Sequence, residues 1–193
     1  MGNSRRGALV LRILEACLLI IGCTAMAWYM TVRISAVREQ AALSRELTRL
    51  SSTETAAGTV PAATASAVWR IEVPRINLSA VAREGVDTRT LRRAVGHIPG
   101  TALPGEEGNA GFAAHRDTFF RPLQGVRRGD EVIVTTPAGV YRYAVTSTRV
   151  VEPADVSVLD PAAGPTLTLV TCYPFDYVGS AAKRFIVRAS LQK

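Results

Sequence analysis

Residues able to carry chemistry are few in this chain. It has three cysteines and two histidines, and Cys17 and Cys23 both fall in an apolar stretch near the N-terminus. Cys172 is therefore the one thiol of the polar remainder, with no partner for an intradomain disulfide. No Cys/His cluster has zinc spacing and no GxxxxGK(S/T) phosphate loop occurs, so neither a metal nor a cofactor is expected. Runs of Lys/Arg are missing as well, and aromatics make up only 6% of the residues. Seven Arg stand against four Glu before residue 67, and sixteen Lys/Arg against twelve Asp/Glu from there on. A surplus this mild, with acids interspersed, excludes the basic stripe that tracks a phosphate backbone, and no nucleic-acid partner is expected.

Hydrophobicity is unevenly spread. From Ala16 to Val32 there is no charged residue, and the stretch 8–32 is interrupted only by Arg12 and Glu15. Its length predicts a transmembrane signal-anchor helix over 8–32. Trp28 and Tyr29 suit one interface, while Arg12 and Glu15, three apart on a helix, suit the other. A cleaved signal peptide is the competing reading, but the stretch exceeds the apolar core of about 7–15 residues usual for such peptides. Arg5, Arg6 and Arg12 favour a cytoplasmic tail over 1–7, with everything after residue 33 outside the membrane. Residues 33–66 read as a helical stalk that passes, from Ser51, into a small, polar, aperiodic tether.

From 67 to 193 short β-type runs separated by Pro and Gly take over: 68–73, 78–81, 131–136, 140–147, 166–172 and 184–189. They predict one mainly β domain, a mostly antiparallel barrel or sandwich, with a short helix capped by Asp87 and another helical turn within 153–159. No internal repeat is visible.

In this domain a Cys–His pair needs only one residue of each kind, since an imidazole can exchange a proton with the thiol and later with an amine. His115 ends the small-residue run Gly108 to Ala114 and is followed by Arg116-Asp117-Thr118, which places it at a strand end opening into a loop. His97 lies in a turn-rich stretch, Val95 to Gly100, where a structurally hydrogen-bonded histidine is the commoner outcome. Cys172 closes the alternating run Thr166 to Thr171, just before Tyr173-Pro174 takes the chain out of the ladder. A lone Cys is more often a small buried apolar residue; its isolation and its place at a strand terminus bring a reactive role level with that reading. Arg184 opens the last strand after an eleven-residue loop. An antiparallel return would set its guanidinium beside the thiol, near a developing oxyanion, although a solvated edge arginine is the plainer alternative.

Taken together these residues form a pattern. Thr168-Leu169-Val170-Thr171-Cys172 resembles the T-L-x-T-C signature of sortases, Arg184 stands where their essential arginine follows, and Gly111 to Arg116 resembles the strand that delivers their histidine. With Ile98-Pro99-Gly100-Thr101, His115 to Arg121, Gly129-Asp130 and Cys172 to Gly179, the chain from about Val68 to Ser190 is most similar to class D sortases. One departure is Ala182, where many members of the family carry Pro; it bears on the shape of the Cys-to-Arg loop.

The resemblance implies a sortase-like eight-stranded β-barrel with short helices over 67–193 and a two-step cysteine transpeptidase, a thiol peptidase of the hydrolase class, at the cell envelope. Cys172 would attack an Leu-Pro-x-Thr sorting motif of a surface protein, giving a thioacyl intermediate that an amine acceptor such as a cell-wall peptide resolves. His115 would shuttle the proton and Arg184 would hold the substrate backbone and oxyanion. Thr171 is carried over as a substrate or oxyanion contact, although a β-branched residue in a strand needs no such role. Glu106 and Glu107 lie where some relatives bind calcium, yet two carboxylates fall well short of the six to eight oxygens that ion takes, roughly. Two other readings stay open: an L,D-transpeptidase-like cysteine enzyme, and a non-catalytic membrane-tethered binding module in which Cys172 is a core residue.

Overall fold

The computed structural model describes residues 12, 15–31, 34, 38, 41–42, 45, 68–177 and 179–192. The chain separates into two compact units, Met1–Glu39 and Gln40–Lys193. In the first, residues 15–31 are helical, and their large apolar side chains are exposed, Leu18 at 62% and Trp28 at 75%. Among the described residues no helix is long and apolar enough to cross a membrane. The expected span 8–32 includes positions 8–11, 13–14 and 32, which lie outside the described residues, as does most of the stalk and tether over 33–66.

The second unit is built on eight strands: β1 (Val68–Val73), β2 (Leu78–Glu84), β3 (Val95–His97), β4 (Asn109–Ala113), β5 (Glu131–Thr136), β6 (Gly139–Val151), β7 (Thr166–Tyr173) and β8 (Lys183–Leu191). They close into a barrel in the order β1-β2-β3-β4-β7-β8-β6-β5, which leaves no sheet edge. The expected barrel is therefore present, with short helices: Asp87 caps Thr88–Leu91 by accepting from the Arg89 and Thr90 amides at 2.8 and 3.1 Å, and a 3-10 turn covers Val156–Leu159.

Alternation decides which side chains fill the interior. Trp69, Ile71 and Val73 on β1 and Leu167 and Leu169 on β7 point inward to one core cluster, while Arg70, Glu72 and Val170 between them are partly exposed. β3 carries turn signals in the sequence because Gly96 and Pro99 punctuate it, yet it pairs as a strand; a Cβ on Gly96 would lie 2.3 Å from the Gly85 carbonyl oxygen, so glycine there permits a close backbone approach. Most pairings are antiparallel, but β2–β3 and β4–β7 are parallel. The β4–β7 pair matters most for the site, because it lays two segments far apart in sequence side by side with their C-terminal ends at the same rim.

At the same rim, where β1 ends and β5 begins, Arg75 forms a bidentate ion pair with Asp130, whose carboxylate also accepts from the Arg127 amide at 2.7 Å. Asp130 is buried at 7% exposure, and the Arg75 hydrogen bond holds its carboxyl below the usual carboxylate range against the opposing effect of burial.

Candidate active site

Cys172 lies one residue before the end of β7, directly across from Arg184 in the antiparallel β7–β8 register. On its other side runs β4. Ala113 pairs with Val170, and the Ala114 amide still bonds the Val170 carbonyl at 3.2 Å. Two further residues along both strands bring His115 level with Cys172. His115, Cys172 and Arg184 therefore stand in one row across three neighbouring strands, with the thiol in the middle. Strand spacing of about 4.8 Å puts such neighbours within reach of one another.

The row faces outward. Leu167 and Leu169 belong to the interior cluster, so Thr168, Val170 and Cys172 occupy the opposite face. On β8 Val187 and Ala189 belong to the interior and Phe185 packs against it, which puts Arg184, Ile186 and Arg188 on the outer face. Cys172 is a free, half-buried thiol, and His115 and Arg184 are likewise half-buried. A wall rises over the far end of this face. Asn109 donates to the Val158 and Asp160 carbonyls at 3.1 and 3.2 Å and accepts from the Thr168 hydroxyl at 2.7 Å, which fastens the β6–β7 connection onto the strands. At Gly111 on β4 that connection also comes close: a Cβ there would sit 3.0 Å from Leu159 Cδ2.

Two residues that carry no predicted role build the loops around the row. Arg116, only 8% exposed, donates to the carbonyls of Pro174, Tyr177 and Gly179 at 2.8, 2.7 and 2.8 Å, with its guanidinium 5.9 Å from the centre of the Tyr177 ring. Arg121 donates to the Phe175 carbonyl at 2.7 Å and pairs with Asp176 at 3.0 Å. The segment that follows His115 thus grips the segment that follows Cys172. The signal lay in adjacency: both arginines fall within His115 to Arg121, and a charged side chain beside a site residue in a loop has a loop to hold. Arg184 itself makes only two contacts with nearby backbone carbonyls, those of Lys183 and Ala181, at 3.1 and 3.4 Å, and no acid pairs with it among the described residues. Tyr173, Phe175 and Phe185 cluster beneath, with centroid separations of 5.3 to 6.4 Å, Tyr173 and Phe185 stacked and Phe175 edge-on to both.

The remaining expected residues land elsewhere. His97 is 2% exposed and packed against Trp69 and Phe112; Nδ1 lies 2.7 Å from a Glu84 oxygen and Nε2 lies 3.0 Å from the Ala102 carbonyl. Both ring nitrogens are engaged inside the barrel, on the face opposite Cys172. Thr171 is 2% exposed and its hydroxyl donates to the Ala114 carbonyl at 2.8 Å, so its side chain ties β7 to the residue before His115 and does not face the outer surface. Glu106 accepts from the Leu103 amide at 3.1 Å, a local turn contact, and among the described residues no group of three or more potential ligands is placed to hold a metal.

A half-buried nucleophile between an imidazole and an unpaired guanidinium, on an outward face, can support acyl transfer: one neighbour handles protons and the other supports negative charge. Comparison with known proteins agrees. The family model described as "Sortase domain" matches residues 71–192. The chain is 36% identical over 118 residues to Sortase D of Bacillus subtilis, covering 61% of this chain and 60% of the relative. It is 30% identical over 130 residues to Sortase A of Listeria monocytogenes, covering 65% of this chain and 57% of the relative. The chain thus spans somewhat less than two thirds of the length of these relatives. Among solved structures, a Clostridium perfringens Sortase D5 transpeptidase aligns with TM-score 0.68 and 25% identity, covering 81% of this chain and 99% of that one.

Proposed function

Since the chain belongs to the sortase family, we propose that it is a cysteine transpeptidase that cuts an Leu-Pro-x-Thr-type sorting motif and passes the acyl group to an amine. The observation that carries this reading is the row of His115, Cys172 and Arg184 across β4, β7 and β8. In the first half-reaction the Cys172 sulfur attacks the carbonyl carbon of the motif's Thr. A C–S bond forms, the C–N bond breaks, and the departing amine takes a proton from the His115 imidazolium. In the second half-reaction an acceptor amine gives a proton to His115 and attacks the thioester. The C–N bond forms and the C–S bond breaks, returning the sulfur to its starting state. Arg184 offers donors to the oxyanion that develops in both steps. Water in place of the amine would give hydrolysis, so the accessibility of the thioester to acceptor and to solvent decides between the two outcomes.

The same proposal extends to location. A helix with Leu18, Ile20 and Trp28 more than half exposed fits a lipid surrounding. With Arg5, Arg6 and Arg12 before it, the segment over 8–32 is read as a single-pass membrane anchor that leaves the barrel outside the membrane. Surface proteins bearing the motif and a cell-wall amine are the corresponding partners.

The test incubates the full chain, held in an uncharged detergent, with a library of sorting-motif peptides and an amine, and follows products by mass. The parent should show a thioester on residue 172 and a ligated product, and Cys172→Ala should show neither while keeping its circular dichroism spectrum, because the outer-face thiol is not part of the interior packing. Ligation by the Cys172→Ala variant would sink the mechanism.

A further inference from the structure

Arg188 lies on β8 on the same outer face as Arg184, two pairs further from the rim: Cys172 is opposite Arg184, Val170 opposite Ile186, and Thr168 opposite Arg188. Its Nε is buried and has no hydrogen-bond partner. No acid pairs with it among the described residues. A buried, unpaired guanidinium nitrogen costs free energy, and each such group in a native structure calls for a partner or a role. Here the face leads straight from the thiol to the unsatisfied group and stops at the wall where Asn109 holds the β6–β7 connection against Thr168.

We propose that Arg188 is a specificity-determining residue that binds an acidic side chain of the acyl donor just upstream of the sorting motif; this rests on the transpeptidase reading above. The part of the substrate joined to the sulfur must stay bound while the leaving segment departs and the acceptor enters. The walled strip along β7 and β8 suits the retained half, and the open rim suits exchange. Four residues along a strand cover about 13 Å, and an extended peptide beside the strand advances by the same amount per residue. With the motif's Thr on Cys172, its Leu is three residues back, so the residue level with Arg188 is the one before that Leu. A carboxylate there would accept a charge-assisted hydrogen bond from a guanidinium whose Nε has no competing partner.

The experiment compares two peptides that differ only at that position, Asp against Asn, with the full chain in uncharged detergent, by kcat/KM for thioester formation. The parent is expected to favour Asp by roughly tenfold to a hundredfold. The preference should fall at high ionic strength, shrink toward unity in Arg188→Gln, and persist in part in Arg188→Lys. A parent ratio within twofold of unity, or an undiminished ratio in Arg188→Gln, overturns the assignment. Should Arg188→Gln fail to fold, the parent ratio and its salt dependence decide the matter alone. Equal turnover of both peptides removes only the role of Arg188, whereas absence of a thioester on Cys172 with either peptide removes the transpeptidase reading as well.

Discussion

Arg116 offers the most quantitative test of how the site is assembled. Its buried guanidinium holds three carbonyls of the loop between Cys172 and Arg184, those of Pro174, Tyr177 and Gly179. Hydrogen bonds to a charged donor contribute about 1.5–3 kcal/mol each. Three that share one group are not additive, and replacing the arginine also relieves the desolvation of its charge, so Arg116→Met should lose roughly 3–4 kcal/mol. For a domain of this size that is a fall in Tm of about 10–15 °C. The loop ends at Arg184, so loosening it should also displace the guanidinium from the oxyanion. A shift of about 1 Å at a catalytic centre can cost on the order of a hundredfold, and single-turnover acylation of Cys172 well below both melting points should slow at least tenfold. Arg116→Lys keeps the charge but cannot fan out to three acceptors and should fall between parent and Met. Unchanged Tm and unchanged acylation in Arg116→Met would refute the clamp. A lowered Tm with parental acylation would show that it stabilises the loop without positioning the chemistry.

Arg184→Lys should retain charge but lose the planar fork of donors and lower kcat by roughly 10²–10³, while Arg142→Lys, an exposed residue paired with Glu131 on β5, should stay within a few-fold; equal kinetics for both variants would mean that other donors hold the oxyanion. Asp130 has a depressed carboxyl pKa in the fold, so the unfolded chain binds the extra proton first, near pH 4, and the stability from this group is present above that pH and lost as pH falls through the lower folded value. Asp130→Asn should lower stability near neutral pH by on the order of 2 kcal/mol and flatten the acid limb of a urea-unfolding series, and parallel parent and variant profiles would contradict the assignment. A topology reporter fused after residue 33 should face outward and the full-length chain should stay with the membrane; release of a shortened soluble form would show cleavage of the segment instead.

Much of this fold was readable because alternation marks a half-buried strand. The runs at 68–73, 131–136 and 166–172 match β1, β5 and β7 to within a residue. β3 escaped because three residues beside Gly and Pro carry no period. The parallel neighbours escaped for a different reason: pairing between β4 and β7 is set by closure of the whole barrel, and nothing local to Asn109–Ala113 names its partner. At the candidate site, Cys172 and His115 stand out through scarcity and strand-end position, whereas Arg184, which by itself reads as a solvated edge residue, is singled out only by the resemblance to sortases. Thr171 follows the same alternation: one residue from Cys172, it faces the interior, as a β-branched strand residue without a contact role would. Arg116 is invisible as a loop clamp in the sequence because arginines are plentiful, and only its burial distinguishes it from the solvated ones, as an unsatisfied Nε distinguishes Arg188.

Topology explains why the row forms where it does. Because β4 and β7 are parallel, their C-terminal ends reach the same rim, and because β8 is antiparallel to β7, its beginning lies there too. His115 just beyond the first strand, Cys172 near the end of the second and Arg184 at the start of the third therefore converge without any of them leaving its backbone ladder by more than two residues. The loops that leave this rim, after His115 and after Cys172, are held to each other by Arg116 and Arg121 and to the barrel interior by Phe120, Leu123 and Phe175. Interior substitutions away from those three residues should act on stability with little change in turnover per folded molecule, whereas substitutions at these cross-loop arginines should change both together. Comparing Tm with acylation rate across such a series separates the two classes, and an interior substitution that slowed acylation without lowering Tm would show that the rim is coupled to the core more tightly than its contacts imply.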